Sequence, residues 1–110
     1  DHNSVTPLYM CSANVSLGLY SPGWDLAESP DDPEPAPRSC QHRVIFEKPF
    51  SNIPLVHAGI TGFDVDKDES ARLSASVSDV TRDGFTLTVT TWMHSRVYSV
   101  DMDWLAIGYS

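Results

Sequence analysis

The amino-acid sequence predicts an all-β fold, a sandwich of antiparallel sheets preceded by a proline-rich N-terminal segment. Between Leu55 and Tyr109, several runs alternate apolar and polar residues with the period of two that a half-buried strand requires. No segment repeats its apolar residues with the period of an α-helix. Turn residues such as Asp83-Gly84 separate the runs. Strands that each carry one apolar face need a second sheet to cover that face, so the pattern indicates two packed sheets.

The strands follow one another along the chain. A short strand is predicted at residues 43–47 and a long one at residues 55–65. The run at residues 72–80 turns Leu73, Ala75 and Val77 inward, and its serines outward. Two further strands are predicted at residues 85–92 and 97–109. The inner face of the last one holds Tyr98, Val100, Met102, Trp104 and Ala106.

Residues 1–42 are rich in proline and lack regular alternation, which predicts an irregular segment. Four prolines fall between Pro30 and Pro37. Proline lacks a backbone donor and biases the preceding residue toward extended geometry, so this stretch is not expected to be a sheet strand. An ordered loop and a plain surface linker both fit its composition. We therefore divide the chain into residues 1–42, a segment and loop packed on the sandwich, and residues 43–110, the sandwich itself, within one structural domain.

The charge of the chain restricts its partners. The 110 residues carry a formal net charge of -8. Nucleic acid and anionic membrane surfaces select for basic patches, so neither is an expected partner. No run approaches the roughly 18 apolar residues that span a bilayer, and membrane insertion is not expected.

Three features favour a secreted, extracellular protein. Cys11 and Cys40 form an even pair, compatible with one disulfide in an oxidising compartment. Asn14-Val15-Ser16 is a glycosylation sequon, which makes Asn14 a predicted glycosylation site. The sequence begins at Asp1 rather than Met, as a processed secreted protein or a trimmed segment would.

The sequence offers no convincing metal site or catalytic motif. Asp64–Glu69 opens like a calcium loop, but Glu69 stands where the loop needs glycine and Ala75 where it needs glutamate. The histidines lack metal-ligand spacing, and the cysteines are too few for a structural zinc. No serine lies in a G-x-S-x-G elbow. We therefore expect a protein that is not an enzyme and has no cofactor.

Trp92 is unusual because strand parity places its large indole on the polar face, with Thr86, Thr88 and Thr90. Residues 93–96 are expected to form a hairpin that contains His94, and Arg72, His94 and Tyr98 are expected at the same edge of the sandwich. A flat aromatic ring beside an arginine suits a sugar, which stacks its C–H face on the ring while its hydroxyls take charged hydrogen bonds. The same residue types are enriched in subunit contacts. From the residues alone, both interpretations stay open.

The run from Arg43 to Tyr109 resembles an H-type lectin domain, the group that includes snail agglutinins and the C-terminal part of discoidins. The matching elements are "F-x-x-P-F", "GFDVD", "GF", "TW", "VYS" and "WLA", in that order and at the right spacing. The resemblance implies a six-stranded antiparallel sandwich that forms trimers, sometimes paired into hexamers. It also implies binding of terminal N-acetylgalactosamine or galactose at sites shared between protomers.

The resemblance assigns roles to individual residues. Arg72 matches the arginine that hydrogen-bonds the sugar, Trp92 the aromatic residue that packs against it, and Tyr98 a nearby contact tyrosine. Where snail members have a sugar-binding histidine, this chain has Met93, and His94 comes one residue later.

Two further family features are altered. The family's aspartate acceptor for sugar hydroxyls is matched here by Asp32 or Glu34, both in the proline-rich segment. The usual disulfide is absent, and a Cys11–Cys40 disulfide is expected to replace it.

The main hypothesis is thus a secreted, multivalent lectin. Two alternatives remain open: an oligomeric adhesion or structural module without sugar binding, and a secreted inhibitor acting through its proline-rich loop.

Overall fold

The computed structural model, which describes residues 7–28 and 30–110, is a sandwich of two three-stranded antiparallel sheets. One sheet has the order β1-β6-β3 and the other the order β2-β5-β4. The predicted six-stranded antiparallel sandwich is confirmed. The strands are β1 (Leu8–Gly18), β2 (Arg38–Ile45), β3 (Leu55–Val65), β4 (Ser74–Ser78), β5 (Gly84–Thr91) and β6 (Val97–Tyr109).

The prediction of an irregular N-terminal segment is wrong for β1 and for the start of β2. β1 pairs with β6 along its whole length, from Leu8 opposite Tyr109 to Gly18 opposite Ser99. Its alternation is hard to recognise in the sequence because its outer positions include apolar residues such as Met10, which is 57% exposed. β2 begins at Arg38, directly after the last proline of the proline-rich segment. It crosses the division drawn between residues 42 and 43. That division into two segments stays a prediction.

The core lies between the two sheets and is richest in aromatic rings at one end. Phe46, Phe50, Phe85 and Trp104 pack with ring centroids 5.1 to 5.8 Å apart. All four side chains are at most 8% exposed. Gly84, the first residue of β5, lies against the backbone of β2, and a Cβ there would come within 2.1 Å of the Val44 carbonyl oxygen. This close approach explains why the turn before β5 ends in glycine.

The segment between β5 and β6 connects the two sheets. β5 belongs to one sheet and β6 to the other, so the hairpin expected around His94 is wrong. Alternation of faces describes β5 only up to Thr91, and residues 92–96 cross the end of the sandwich. Met93 makes the change of direction in the left-handed region, with φ of 57°. We call residues 92–96 the crossover.

Cys11 and Cys40 are both free, so the predicted disulfide between them is wrong. Cys11 in β1 lies beside Phe46 and Glu47, at the end where β2 finishes. Cys40 lies near the start of β2, six residues before Phe46, which is about 20 Å at the ordinary rise of a strand. A disulfide needs Cα atoms within about 7 Å, so the two thiols are too far apart. Burial raises the pKa of both thiols.

Candidate functional site

Arg72 contacts the crossover from the loop just before β4. Its Nη1 donates to the Ser95 hydroxyl at 3.3 Å. Its carbonyl oxygen accepts from the Thr91 hydroxyl at 2.5 Å. Ser95 is fully buried and in turn donates to the carbonyl of Ser70. The loop that carries Arg72 is therefore fixed at both Ser70 and Arg72, and the guanidinium keeps further N–H donors for another partner.

Trp92 and Met93 form the exposed part of the crossover. The Trp92 side chain is 37% exposed and that of Met93 36% exposed. Trp92 is thus neither a core residue nor a freely solvated one, which agrees with the parity argument. An indole half open to solvent offers an apolar surface to a partner outside the chain.

His94 connects the crossover to the proline-rich segment. Its Nε2 donates to the backbone oxygen of Asp32 at 2.9 Å. The Asp32 carboxylate accepts from the backbone N–H of Glu34 at 3.0 Å, closing a local turn. The Glu34 carboxylate, in contrast, accepts no hydrogen bond from any residue that the structure describes. No strand passes through residues 30–37.

Arg38 holds this arrangement together, and sequence reasoning missed it. Its Nη1 donates to the carbonyl of Glu28 at 2.8 Å. Its Nη2 donates to the carbonyls of Met93 and Ser95, at 3.0 and 2.9 Å. The side chain therefore joins the start of the proline-rich segment to the crossover. A single arginine after a proline run carries no recognisable motif, because its partners are backbone carbonyls that only the fold brings near.

Tyr98 lies in a separate cluster centred on Asp66. The Tyr98 hydroxyl donates to Asp66 Oδ2 at 3.0 Å, and Arg96 forms an ion pair with the same carboxylate. The backbone N–H of Asp68 donates to Asp66 Oδ1 at 2.8 Å. The Asp68 N–H, helped by Tyr98 and Arg96, holds the pKa of the Asp66 carboxyl below its usual value. The same hydrogen bond to Asp66 raises the pKa of the Tyr98 phenol.

The structure thus brings five of the predicted site residues to one end of the sandwich. Arg72, Trp92, Met93, His94 and Asp32 all meet at the crossover through the contacts above. Glu34 is next to them in the proline-rich segment, while the hydroxyl of Tyr98 is occupied by Asp66.

Asn14 lies in β1, on the outer face of its sheet. Its side-chain nitrogen donates to the Met102 carbonyl at 3.1 Å and to Asp103 Oδ1 at 2.9 Å. A glycan on this nitrogen would replace one of the two hydrogens. Glycosylation of Asn14 stays a prediction.

Neither a metal site nor a membrane-spanning helix is present among the described residues. Over residues 7–28 and 30–110, no group of three or more histidine, cysteine or acidic side chains could hold a metal ion. No helix in the same part of the chain is long and apolar enough to cross a membrane.

The family model described as "H-type lectin domain" matches residues 41–107, which includes Arg72 and the whole crossover. The chain belongs to this family. The match confirms the resemblance that the motifs between Arg43 and Tyr109 indicated. It identifies the sandwich as a lectin fold and points to a non-enzymatic protein.

Relatives and solved structures agree with the assignment. The chain is 35% identical over 72 residues to a protein of Fuscovulum blasticum called "ATP synthase subunits region ORF 7", a match that covers 66% of this chain and 63% of that protein. The match therefore spans less than two thirds of that relative. Among solved structures, discoidin II from Dictyostelium discoideum matches 94% of this chain with a TM-score of 0.74 and 23% identity, over 38% of discoidin II. An R1-type pyocin tail fibre matches 93% of this chain and 71% of its own, with a TM-score of 0.52 and 17% identity. At these identities the structures are similar in fold alone.

Proposed function

We propose that the protein is a secreted, multivalent lectin that binds terminal N-acetylgalactosamine or galactose. The observation that carries this proposal is the meeting of Arg72 with the crossover that bears the half-exposed Trp92. The family resemblance assigns these two residues to the sugar. Arg72 uses one N–H on Ser95 Oγ, so its remaining donors are available to sugar oxygens. The Trp92 indole supplies the apolar surface on which a sugar ring stacks.

The structure also supports a choice between the two acidic candidates. Asp32 uses its carboxylate and its carbonyl to hold the proline-rich segment, through Glu34 N–H and His94. Glu34 has an exposed carboxylate without a partner among the described residues. We therefore assign Glu34 to accept from sugar hydroxyls, and Asp32 to position the loop that carries it.

An uncharged, apolar area supports the proposal that identical copies associate. We call it the apolar patch. It lies on the outer face of the β1-β6-β3 sheet, where strand pairing brings apolar side chains side by side. The side chain of Leu55 is 73% exposed, and that of Leu105, on the middle strand β6, is 40% exposed. The members of the patch are Leu8, Met10, Leu55, Leu105, Ile107 and Tyr109.

The apolar patch fits a second copy better than a charged partner. The chain has a net charge of -8, so two copies repel each other wherever their charged surfaces meet. The patch carries no acidic or basic side chain, and burying its leucines in a contact is favourable. We therefore propose a trimer, as the family resemblance implies, formed through this patch. Sites on one rigid assembly raise avidity by roughly 10²–10⁴ over a single weak site.

Titration of the purified protein with N-acetylgalactosamine and galactose tests the sugar site. Arg72→Ala is expected to weaken binding roughly 10-fold or more, because a hydrogen bond to a charged group contributes about 1.5–3 kcal/mol. Arg82→Ala is the matched control. Arg82 is exposed in the turn before β5, and its side chain makes no hydrogen bond within the described residues. Equal affinities of wild type and Arg72→Ala would exclude Arg72 from the site.

One observation favours a second candidate function, an adhesion module without sugar binding. Met93 occupies the position of the family's sugar-binding histidine, and His94 donates to Asp32 instead. A glycan array separates the two functions. A well-folded oligomer that binds no glycan would contradict the lectin and favour the adhesion module.

A further inference from the structure

A concave surface borders Tyr98, at the end of the sandwich where β1 finishes. This groove has a volume of about 390 Å³. Its walls come from the end of β1, the turn that follows it, the end of β3 and the start of β6. We call it the Tyr20 groove. Among its lining residues are Ser16, Leu19, Tyr20, Asp64, Tyr98 and Ser99.

Tyr20 presents a completely exposed aromatic ring, with a relative exposure of 101%. The turn that carries it is nevertheless fixed. Ser21 N–H donates to the Gly18 carbonyl at 2.8 Å, and Gly18 N–H donates to the Ser21 hydroxyl at 2.9 Å. Leu19 N–H donates to the Tyr98 carbonyl at 3.1 Å. The ring contributes nothing to the core, yet its backbone is held in place, so a ligand would not have to order the turn.

The polar groups of the groove are acceptors and hydroxyls. The carboxylate of Asp64 accepts no hydrogen bond from the residues that the structure describes, and Ser99 contributes a hydroxyl to the lining. Ser16 donates to Asp101 at 2.6 Å, so a further carboxylate lies next to the lining. Lysine and arginine are absent from the lining residues. An exposed aromatic ring beside a free carboxylate suits a neutral ring that carries several hydroxyls, and repels an anionic one.

Tyr98 links this groove to the proposed sugar site. Tyr98 lines the groove, and its hydroxyl donates to Asp66 Oδ2, at the start of the loop that carries Arg72. At about 390 Å³, the groove falls in the size range of sites that take small ligands. Because the groove borders Tyr98, we expect it to bind the sugar residue that is linked to the terminal one.

We propose that the Tyr20 groove is an extended subsite for the neutral sugar residue next to the terminal N-acetylgalactosamine or galactose. Tyr20 would stack on that second ring, and Asp64 would accept from its hydroxyls. This inference rests on the proposed function, because the terminal sugar must be bound first. The unit that the protein recognises would then be a neutral disaccharide.

The test compares monosaccharides with a panel of neutral oligosaccharides that end in the same sugars through different linkages, and with sialylated counterparts. For at least one linkage, the wild-type protein is expected to bind the oligosaccharide roughly 3- to 10-fold more tightly than the monosaccharide, which one stacked ring can supply. Sialylated counterparts, which place a negative charge near Asp64, are expected to show no such gain.

Tyr20→Ala should abolish the gain while leaving monosaccharide affinity unchanged, and Asp64→Asn should reduce it. Tyr20→Phe keeps the ring and should keep the gain. Because Tyr20 is fully exposed, these variants are expected to fold as the wild type does. Monosaccharide binding that depends on Arg72, with no oligosaccharide gain for any linkage or an unchanged gain in Tyr20→Ala, would overturn the subsite and leave the lectin intact. Absence of binding to any of these sugars would overturn both.

Discussion

At the scale of single residues, Asp66 has the densest set of contacts near the site. Its carboxylate accepts from Tyr98, Asp68 N–H and Arg96, and its own N–H donates to the Arg96 carbonyl at 2.9 Å. Asp66 begins the loop that ends in Arg72. The buried carboxylate therefore fixes one end of this loop, while Ser95 fixes the other.

The depressed pKa of Asp66 gives the stability a definite pH dependence. A carboxyl whose pKa is lower in the folded state stabilises the fold above its ordinary value of 3.8, and this contribution disappears as the pH falls through the lower folded value. Asp66→Asn should therefore lower the thermal midpoint by several degrees at neutral pH. The difference from wild type should shrink to nothing in strong acid. Thermal denaturation followed by circular dichroism across this pH range measures it.

Asp68→Asn is the control for this effect, because Asp68 engages Asp66 through its backbone N–H and not its carboxylate. A pH-independent difference between Asp66→Asn and wild type would show that the Asp66 charge is not what stabilises the loop.

At the scale of elements, the crossover depends on one strained residue. Met93 adopts φ of 57°, a conformation that costs a residue with a side chain about 1 kcal/mol or more. The backbone carbonyls of Met93 and Ser95 are nevertheless hydrogen-bonded, because the Arg38 guanidinium donates to both. The strain therefore persists because several hydrogen bonds fix the backbone on either side.

Met93→Gly should relieve this strain. The expected gain in the free energy of unfolding is about 0.5–1 kcal/mol, less than the strain itself because glycine also loses more entropy on folding. Urea unfolding followed by tryptophan fluorescence measures the change. Met93→Ala is the matched variant, since it removes the same side chain but keeps the strained Cβ. A Gly variant that is less stable than the Ala variant by about 0.5–1 kcal/mol, the ordinary entropic cost of glycine, would show that Met93 is not strained.

The sequence predicted the bounds of β3 and the inner face of β6. β3 begins and ends where the pattern placed it, although its register with β6 shifts between Ile60 and Gly62, and β6 buries Val100, Met102 and Ala106 as expected. β1 was missed because apolar residues occupy both of its faces. The turn at Met93 was read as a hairpin because alternation records which way a side chain points, and not which sheet the next strand joins.

The candidate site divides in the same way. Trp92 could be found from the sequence because parity and the "TW" motif both mark it, and Arg72 because the family resemblance assigns it to the sugar. The roles of Arg38 and of Asp66, the last residue of "GFDVD", could not be found, since their partners are backbone groups and side chains that lie far away in the chain. The Cys11–Cys40 pairing failed for a related reason: an even count of cysteines contains no information about distance.

At the scale of the whole molecule, the outer face of the β1-β6-β3 sheet changes character along its strands. At one end, Asp101 and Asp103 accept hydrogen bonds from Ser16 and Asn14. At the other end lies the apolar patch, with Leu105 between its strand neighbours Ser12 and His57. A chain that is acidic overall thus keeps one uncharged contact area. This division allows copies to meet while most of their negative charge stays in solvent.

Leu105→Lys places a charge in the patch, on its middle strand β6, and is expected to convert the oligomer into monomers at micromolar concentration. A buried, unpaired ammonium is too costly to retain in the contact. Sedimentation velocity measures the state, and agglutination of glycan-coated beads should fall by the avidity factor of roughly 10²–10⁴. Ile45→Lys is the matched control, because Ile45 is an exposed apolar residue of the other sheet, 66% accessible. The monomer should retain the wild-type fold, since Leu105 is already 40% exposed. An unchanged oligomer in Leu105→Lys, or the same loss in Ile45→Lys, would move the contact away from the apolar patch.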